Sequence, residues 1–362
     1  MNEDQLQFKS VVARFLADKS PTTAVRELMA SKQGYDEAVW RQLCSEVGLA
    51  GTHLPEAYGG FGFGPVELGI SCQEMGRHLY CGPFFASAVM AAHAILNEGS
   101  EAQKTELLPG IADGTTIAAL VLDDLSGWDA VGSSISADDG SLSGEAPIVV
   151  DAYCASVLVV AAGDDNGVGL YLVDPGVAGV QIDPREALDP TRKICRVRMD
   201  RVPAERLGSG AADLERLWDQ LSTALAHEMI GGAEALFEST IEYMKMRVQF
   251  GRVIGSFQAL KHRVADLLLE LELARAATHE AARVLATGEG DPHAPNMAKA
   301  MAGDAYISVA KQAIQLRGGI GFTWEEDTHL WYKRAKASEV LLGTSNWHRE
   351  RMVQRMEVAH AG

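Results

Sequence analysis

The chain carries little material for cross-linking or for a structural metal. Its five cysteines, Cys44, Cys72, Cys81, Cys154 and Cys195, are odd in number and form no CxxC pair. Buried reduced thiols are expected in place of disulfides. His279 and Glu280 open the run HEAAR instead of HExxH, so no zinc site is expected. Apolar runs of about 20 residues are missing, which argues against a helical membrane span. The opening MNEDQLQFKS has neither a basic n-region nor an apolar h-region, so no signal peptide is expected and the expected compartment is the cytoplasm. Positive charge is also scarce. Lys and Arg number 32 against 49 Asp and Glu, a net charge of −17. Such a surface repels phosphate backbones and disfavours nucleic acid as a partner. A small anion in a local basic pocket is still compatible with it.

The remaining composition is that of a globular protein, with 47% hydrophobic and 22% charged residues. A length of 362 residues allows two or three packed units. Three textures follow one another. Residues 1–112 read as helices: apolar residues recur at helical spacing over 3–18, 36–47 and 65–79. Residues 83–101 are apolar on most faces and predict a buried helix. A glycine loop at 58–62 lies between helices, and 103–111 closes the region. Residues 113–208 break into short β-rich runs, at 116–122, 133–137, 146–150, 155–162, 167–173, 179–182 and 195–199. Turn residues separate them, as in a small antiparallel barrel or sandwich. From 209 to 362 long helices return, over 214–247, 257–287 and 296–315. At 1.5 Å per residue the longer two span roughly 45 Å, a length that packs in an antiparallel bundle. The predicted class is α+β multidomain: helical domain, central β domain, helical bundle.

Four pieces of the last region carry the chemistry. Arg247, Phe250 and Gly251, followed by Ile254, Gly255, Phe257 and Gln258, stand at the break between two long helices. Arginine offers a donor fork suited to pyrophosphate. Gln315, Gly318, Gly319 and Gly321 form a glycine turn whose uncovered N–H groups allow a nucleotide to approach closely. The run TWEE begins at Thr323. Last come Tyr332, Lys333, Arg334 and Lys336, leading to Gly343, Thr344 and Ser345. Taken singly, each has a plainer reading. A lone Gly-Gly-x-Gly is more often a helix-ending turn, and an arginine near a helix end answers the dipole.

In order and spacing these pieces resemble the acyl-CoA dehydrogenase family. Its pattern runs R-x-x-F-G-x-x-I-x-x-F-Q, then Q-x-x-G-G-x-G-[FY]-x-x-E, then a basic segment and a G-T turn. The helix–β–helix order and the loop PEAYGG at 55–60 agree over nearly the full length. The resemblance implies an N-terminal helical domain, a central β-barrel or sandwich and a C-terminal four-helix bundle. It implies FAD, an acyl-CoA substrate whose α-proton goes to a Glu while the β-hydride goes to the flavin, and an electron-transfer flavoprotein as acceptor. Arg247, Phe250 and Gln258 resemble residues that reach across a dimer interface to FAD. Gln315, Gly318 and Gly319 resemble the segment meeting the neighbour's ADP half. Thr344 resembles a contact to FAD within its own subunit.

The chain departs from the family where the base belongs. Leu342 stands where many members carry Glu before the G-T turn. Leu221 stands at the other family position, early in the first long helix. Glu228 lies seven residues on, two turns and ~10 Å along the same face, with His227 beside it. It reads either as a relocated base or as a buried structural carboxylate. In the middle region, stretches 119–124 and 146–151 lack the Thr and Trp that flank the flavin in the family. These losses resemble the subunit lacking the usual catalytic Glu in α2β2 steroid side-chain acyl-CoA dehydrogenases of actinobacteria. Three readings follow. The first is a subunit that completes a partner's FAD site. The second is a homomeric enzyme using Glu228, and the third a purely structural partner without flavin contact.

Overall fold

The computed structural model describes the backbone of residues 1–361 and the side chains of residues 1–357. Helices come first: α1 (Glu3–Lys19), α2 (Thr22–Ala30), α3 (Glu37–Arg41), α4 (Pro65–Arg77), α5 (Ala92–Glu98) and α6 (Glu101–Asp113). Eight strands follow: β1 (Ala118–Val121), β2 (Ile135–Asp138), β3 (Ser141–Val150), β4 (Val157–Asp164), β5 (Gly167–Val173), β6 (Val180–Arg185), β7 (Ile194–Pro203) and β8 (Glu205–Leu207). Then come α7 (Leu214–Met246), the short hairpin strands β9 (Val248–Gln249) and β10 (Arg252–Val253), α8 (Gln258–Thr287), α9 (Ala294–Arg317), α10 (Thr328–Val340) and α11 (Ser345–Ala361). Among the described residues no helix is long and apolar enough to cross a membrane. All five cysteines are free thiols.

The chain forms two compact units that interleave along the sequence. One gathers Met1–Val25, Gly69–Tyr80 and the residues from Ser222 onward. It is helical. α1 starts on a reciprocal cap: the Asn2 side chain accepts from Gln5 N, and the Gln5 side chain accepts from Asn2 N. The residues of α4 from Gly69 on lie directly against α7. A Cβ on Gly76 would stand 1.9 Å from the Glu228 carbonyl oxygen, and one on Gly231 1.7 Å from that of Gln73. Only glycine lets the two backbones meet this closely. Side chains then join the same helices: Gln73 donates to Glu234 at 2.7 Å, and Arg77 grips both oxygens of Glu238 at 2.7 Å. α8, α10 and α11 all pack on α9, which buries its alanines.

The other unit gathers Arg26–Leu68 and Cys81–Leu221. Its sheet runs in the order β6-β7-β3-β2-β4-β5-β8, with β1 beside β4. Pairing is antiparallel except that β1 and β2 each run parallel to β4. Ala119, Val121, Leu142, Leu158, Val160 and Val197 form part of its core. The expected buried helix over 83–101 is a π-helical run, Phe84–Ala91, continuing into α5. All eight residues of the run are buried. α2 and β8 are short elements that apolar periodicity does not announce. Asp123 shapes the loop after β1 by accepting from Gly132 N at 2.7 Å and Ser134 N at 2.5 Å. Trp128, in a 3-10 turn, meets buried Trp218 edge-on at 6.4 Å.

Two imidazoles, His53 and His93, stack at 4.4 Å in this unit. His93 Nδ1 bonds the Val89 carbonyl at 2.8 Å, whereas both ring nitrogens of His53 are buried without a hydrogen-bond partner. Burial pushes His53 well below its ordinary range and His93 down to about 4. The folded state therefore binds fewer protons than the unfolded chain below the ordinary histidine range. Stability from this pair is present above about pH 6.5 and is lost as pH falls toward 4. His53→Phe keeps the stack and removes one titration. The melting temperature should then fall less between pH 7.5 and pH 5 than in the unaltered protein. An equal fall in both would contradict this.

Candidate functional site

At one end of the helical unit, three segments meet on a small core. Met244 from α7, Ile254 and Leu316 are buried together, with Tyr243, Phe257, Leu260 and Val264 packed around them. These residues fix the end of α7, the start of α8 and the end of α9. Between the first two lies the hairpin β9–β10, with Gln249 opposite Arg252. Its two turn residues, Phe250 and Gly251, have φ of 52° and 77°. Two successive positive φ angles make the tight turn whose twist suits a hairpin. Phe250 consequently projects from the surface, 91% exposed, with its ring 6.3 Å from that of Phe257. Arg252 stacks over Phe257 at 4.0 Å.

Arg247, Gln258 and Gln315 are exposed, one on each of the three segments. No side-chain hydrogen bond or ion pair engages them among the described residues. α9 ends in a glycine turn, Gly318–Phe322, with Gly318 at φ 67°. This is indeed a helix-ending turn, yet a Cβ on Gly318 or Gly319 would meet nothing within 4 Å. The turn's backbone is thus open to an approaching ligand. A fork-shaped cation, two amides, an aromatic face and bare peptide N–H groups are a donor set that fits a dinucleotide.

The glycine turn is held from below by Arg317, a residue to which the sequence reading gave no role. Its buried guanidinium donates to Glu326 at 2.7 Å, Thr240 at 2.7 Å and Ser239 at 3.0 Å. The Arg317 carbonyl accepts from Tyr243 at 3.3 Å. Its signal in the sequence is weak: a charge in the last turn of α9, near Lys311, Gln312 and Gln315, reads as one more polar residue on a solvated helix end.

The candidate base positions have a different character. Leu342 is fully buried, with φ at 59°. Leu221 is fully buried too. Glu228 is buried and bonded to buried Arg334 of α10 at 3.0 Å, and that arginine also reaches the Tyr80 carbonyl at 3.5 Å. His227 beside it is buried, which lowers it to about 3, and its Nε2 has no partner. Thr344 has a local duty: its hydroxyl oxygen accepts from Trp347 N at 3.2 Å and so caps α11.

Comparison with known proteins decides the family. Residues 2–115 match the acyl-CoA dehydrogenase N-terminal domain, and residues 209–357 the C-terminal domain. The chain is 34% identical to acyl-CoA dehydrogenase IpdE2 of Mycobacterium tuberculosis, over 94% of this chain and 93% of that protein. The chain belongs to the acyl-CoA dehydrogenase family. Members of this family are oxidoreductases acting on the CH–CH bond of acyl-CoA, and they bind FAD. A chain of the Tcur3481-Tcur3483 steroid ACAD G363A variant superposes with a TM-score of 0.90 at 30% identity, covering 99% of each. A chain of the ChsE4-ChsE5 complex from Mycobacterium tuberculosis has the same fold, with a TM-score of 0.90 at 24% identity over 99% of this chain and 98% of that one. This acyl-CoA dehydrogenase therefore has the fold expected from its motifs: helical N-terminal domain, central sheet domain and helical C-terminal domain.

The Arg317 anchor makes a measurable demand. Arg317→Met leaves Glu326 without its partner and frees the glycine turn. A loss of about 2–3 kcal/mol in unfolding free energy is expected, with faster proteolysis within 318–326. Unchanged stability and unchanged cleavage would mean that Arg317 does not hold the turn.

Proposed function

We propose that this chain is a subunit of a heteromeric, α2β2 acyl-CoA dehydrogenase that completes a partner subunit's FAD site. A contrast between two sets of residues carries this reading. The dinucleotide-type residues Arg247, Phe250, Gln258, Gln315, Gly318 and Gly319 are exposed and disengaged, while the base positions hold buried leucines. An exposed grip with an inert turn suits a chain that serves a neighbour's cofactor. When bound, FAD supplies the acceptor for the substrate's β-hydride. Arg247 would fork onto the pyrophosphate, Gln258 and Gln315 would bond polar edges, and Phe250 would cover an apolar face. Gly318 and Gly319 would turn peptide N–H groups toward the nucleotide. Thr344, whose hydroxyl hydrogen is still available beyond its capping bond, would touch FAD on the side of its own subunit.

The proposed substrate is an acyl-CoA thioester of the steroid side-chain class, supported by the 30% identity to a steroid ACAD chain. Electrons would leave to an electron-transfer flavoprotein, and the proposed compartment is the cytoplasm. Glu228 is assigned a structural role, because its carboxylate is committed to Arg334. The homomeric enzyme with Glu228 as a relocated base is the competing reading.

Two experiments on the complex co-purified with its partner separate the readings. Arg247→Ala combined with Gln258→Ala should lower FAD occupancy tenfold or more while the subunits stay associated. Undisturbed FAD would favour a purely structural partner. Glu228→Gln should cost about 3 kcal/mol of stability, because it leaves the Arg334 charge buried and uncompensated, with FAD content kept. Loss of turnover at unchanged stability would instead mark Glu228 as the base.

A further inference from the structure

Lys299 sits in the second turn of α9 with 0% exposure. A buried ammonium is costly unless every donor finds an acceptor. Here it donates to the main-chain carbonyls of Glu339 at 3.3 Å and Gly343 at 3.0 Å. Glu339 lies in the last turn of α10, where carbonyls lack intrahelical donors and carry partial negative charge. The helix end thus accounts for the presence of a cation.

His348 of α11 completes the arrangement. Its Nε2 lies 2.9 Å from the Leu342 carbonyl, and its Nδ1 2.9 Å from Asn296 Oδ1. A carbonyl can only accept, so Nε2 carries the hydrogen. Burial and the neighbouring Lys299 charge push His348 down to about 3, so the ring is neutral. Nδ1 must then accept, which requires the Asn296 amide to be turned so that its NH2, in place of the Oδ1 recorded there, faces the ring.

Three carbonyls around one bend, those of Glu339, Leu342 and Gly343, are therefore held by two side chains. The bend is strained: Leu342 lies in the left-handed region, which is unfavourable for a non-glycine residue. Directly after it Thr344 caps α11 through Trp347 N, and a Cβ on Gly343 would stand 2.6 Å from the Trp347 ring.

We propose that Lys299 is the positioning residue of the Leu342–Thr344 turn, holding it through the Glu339 and Gly343 carbonyls with His348 as a neutral neighbour. The inference concerns the chain itself and stands whether or not Thr344 meets a flavin. As an ammonium Lys299 has three donors; as an amine it has two and a lone pair that repels carbonyl oxygens. Both carbonyls can still be reached by the amine, but charge-assisted bonds are about twice as strong as neutral ones, so loss of the proton loosens both holds on the turn. Burial lowers Lys299 to about 7, while Glu339 of α10 and Asp304 of α9 oppose that fall. From α11 the facing titratable group is His348, itself acted on by Arg355. α8, also packed on α9, contributes none of the charges acting on the ammonium.

Trp347 reports the turn directly. The full chain would be labelled with 5-fluorotryptophan, and the Trp347 fluorine resonance assigned by Trp347→Phe. That resonance should move with a midpoint near pH 7. The other five tryptophans should not follow it, and Lys299→Met should abolish the movement. His348 titrates too low to mimic it. The folded pKa is lowered, so the melting temperature of the unaltered chain should rise between about pH 7 and 10, and that rise should flatten in Lys299→Met. A Trp347 resonance that titrates identically in Lys299→Met, or that is fixed between pH 6 and 8.5 in the unaltered chain, overturns the proposal. Should Lys299→Met fail to fold, Lys299→Arg carries the test. Arginine stays charged, so a resonance still moving near pH 7 overturns it equally.

Discussion

The helical unit depends on one close contact, the meeting of α4 and α7 backbones at Gly76 and Gly231. Any larger residue at either place would put a Cβ within 2 Å of a carbonyl oxygen. Because the helices touch there, Glu228 is carried into the interior, where water cannot solvate its charge. A buried carboxylate must find a cation, and Arg334 supplies it. That pair ties α10 to α7, and α10 leads into the turn at Leu342. A packing constraint between two helices thus brings this carboxylate into an ion pair with Arg334.

The other end of α7 follows a different logic. Its last residues pack into a small apolar core with the ends of α8 and α9. The polar residues flanking that core are left pointing into solvent, with Arg317 bracing the glycine turn from within. Rigid support below and unengaged donors above are what a preorganised binding surface needs. The base turn is equally rigid but closed, with its carbonyls taken by Lys299 and His348. One end of the unit leaves its polar groups open, while at the turn Leu342 stands where the family pattern has Glu.

Much of this was legible in the residues. Long helices showed as sustained apolar spacing, and their observed ends lie within a few residues of the expected ones. The break between α7 and α8 was read at Gly251, but the hairpin was not, because phenylalanine seldom takes the positive φ that Phe250 has. Local pattern cannot convey who pairs with whom. The parallel placement of β1 and β2 on β4 depends on long-range topology. The Glu228–Arg334 bond joins residues 106 positions apart, so the sequence alone left the carboxylate between two readings. Arg317 and Lys299 escaped notice for a related reason. A charge on a helix reads as solvent-facing until packing shows that it is buried.

The visible absorption spectrum of the purified chain, alone and co-purified with a partner acyl-CoA dehydrogenase subunit, tests the half-site reading most directly. The chain alone should be colourless, and the complex yellow with about one FAD per heterodimer. A full equivalent of FAD on the isolated chain, with turnover of an acyl-CoA, would contradict it.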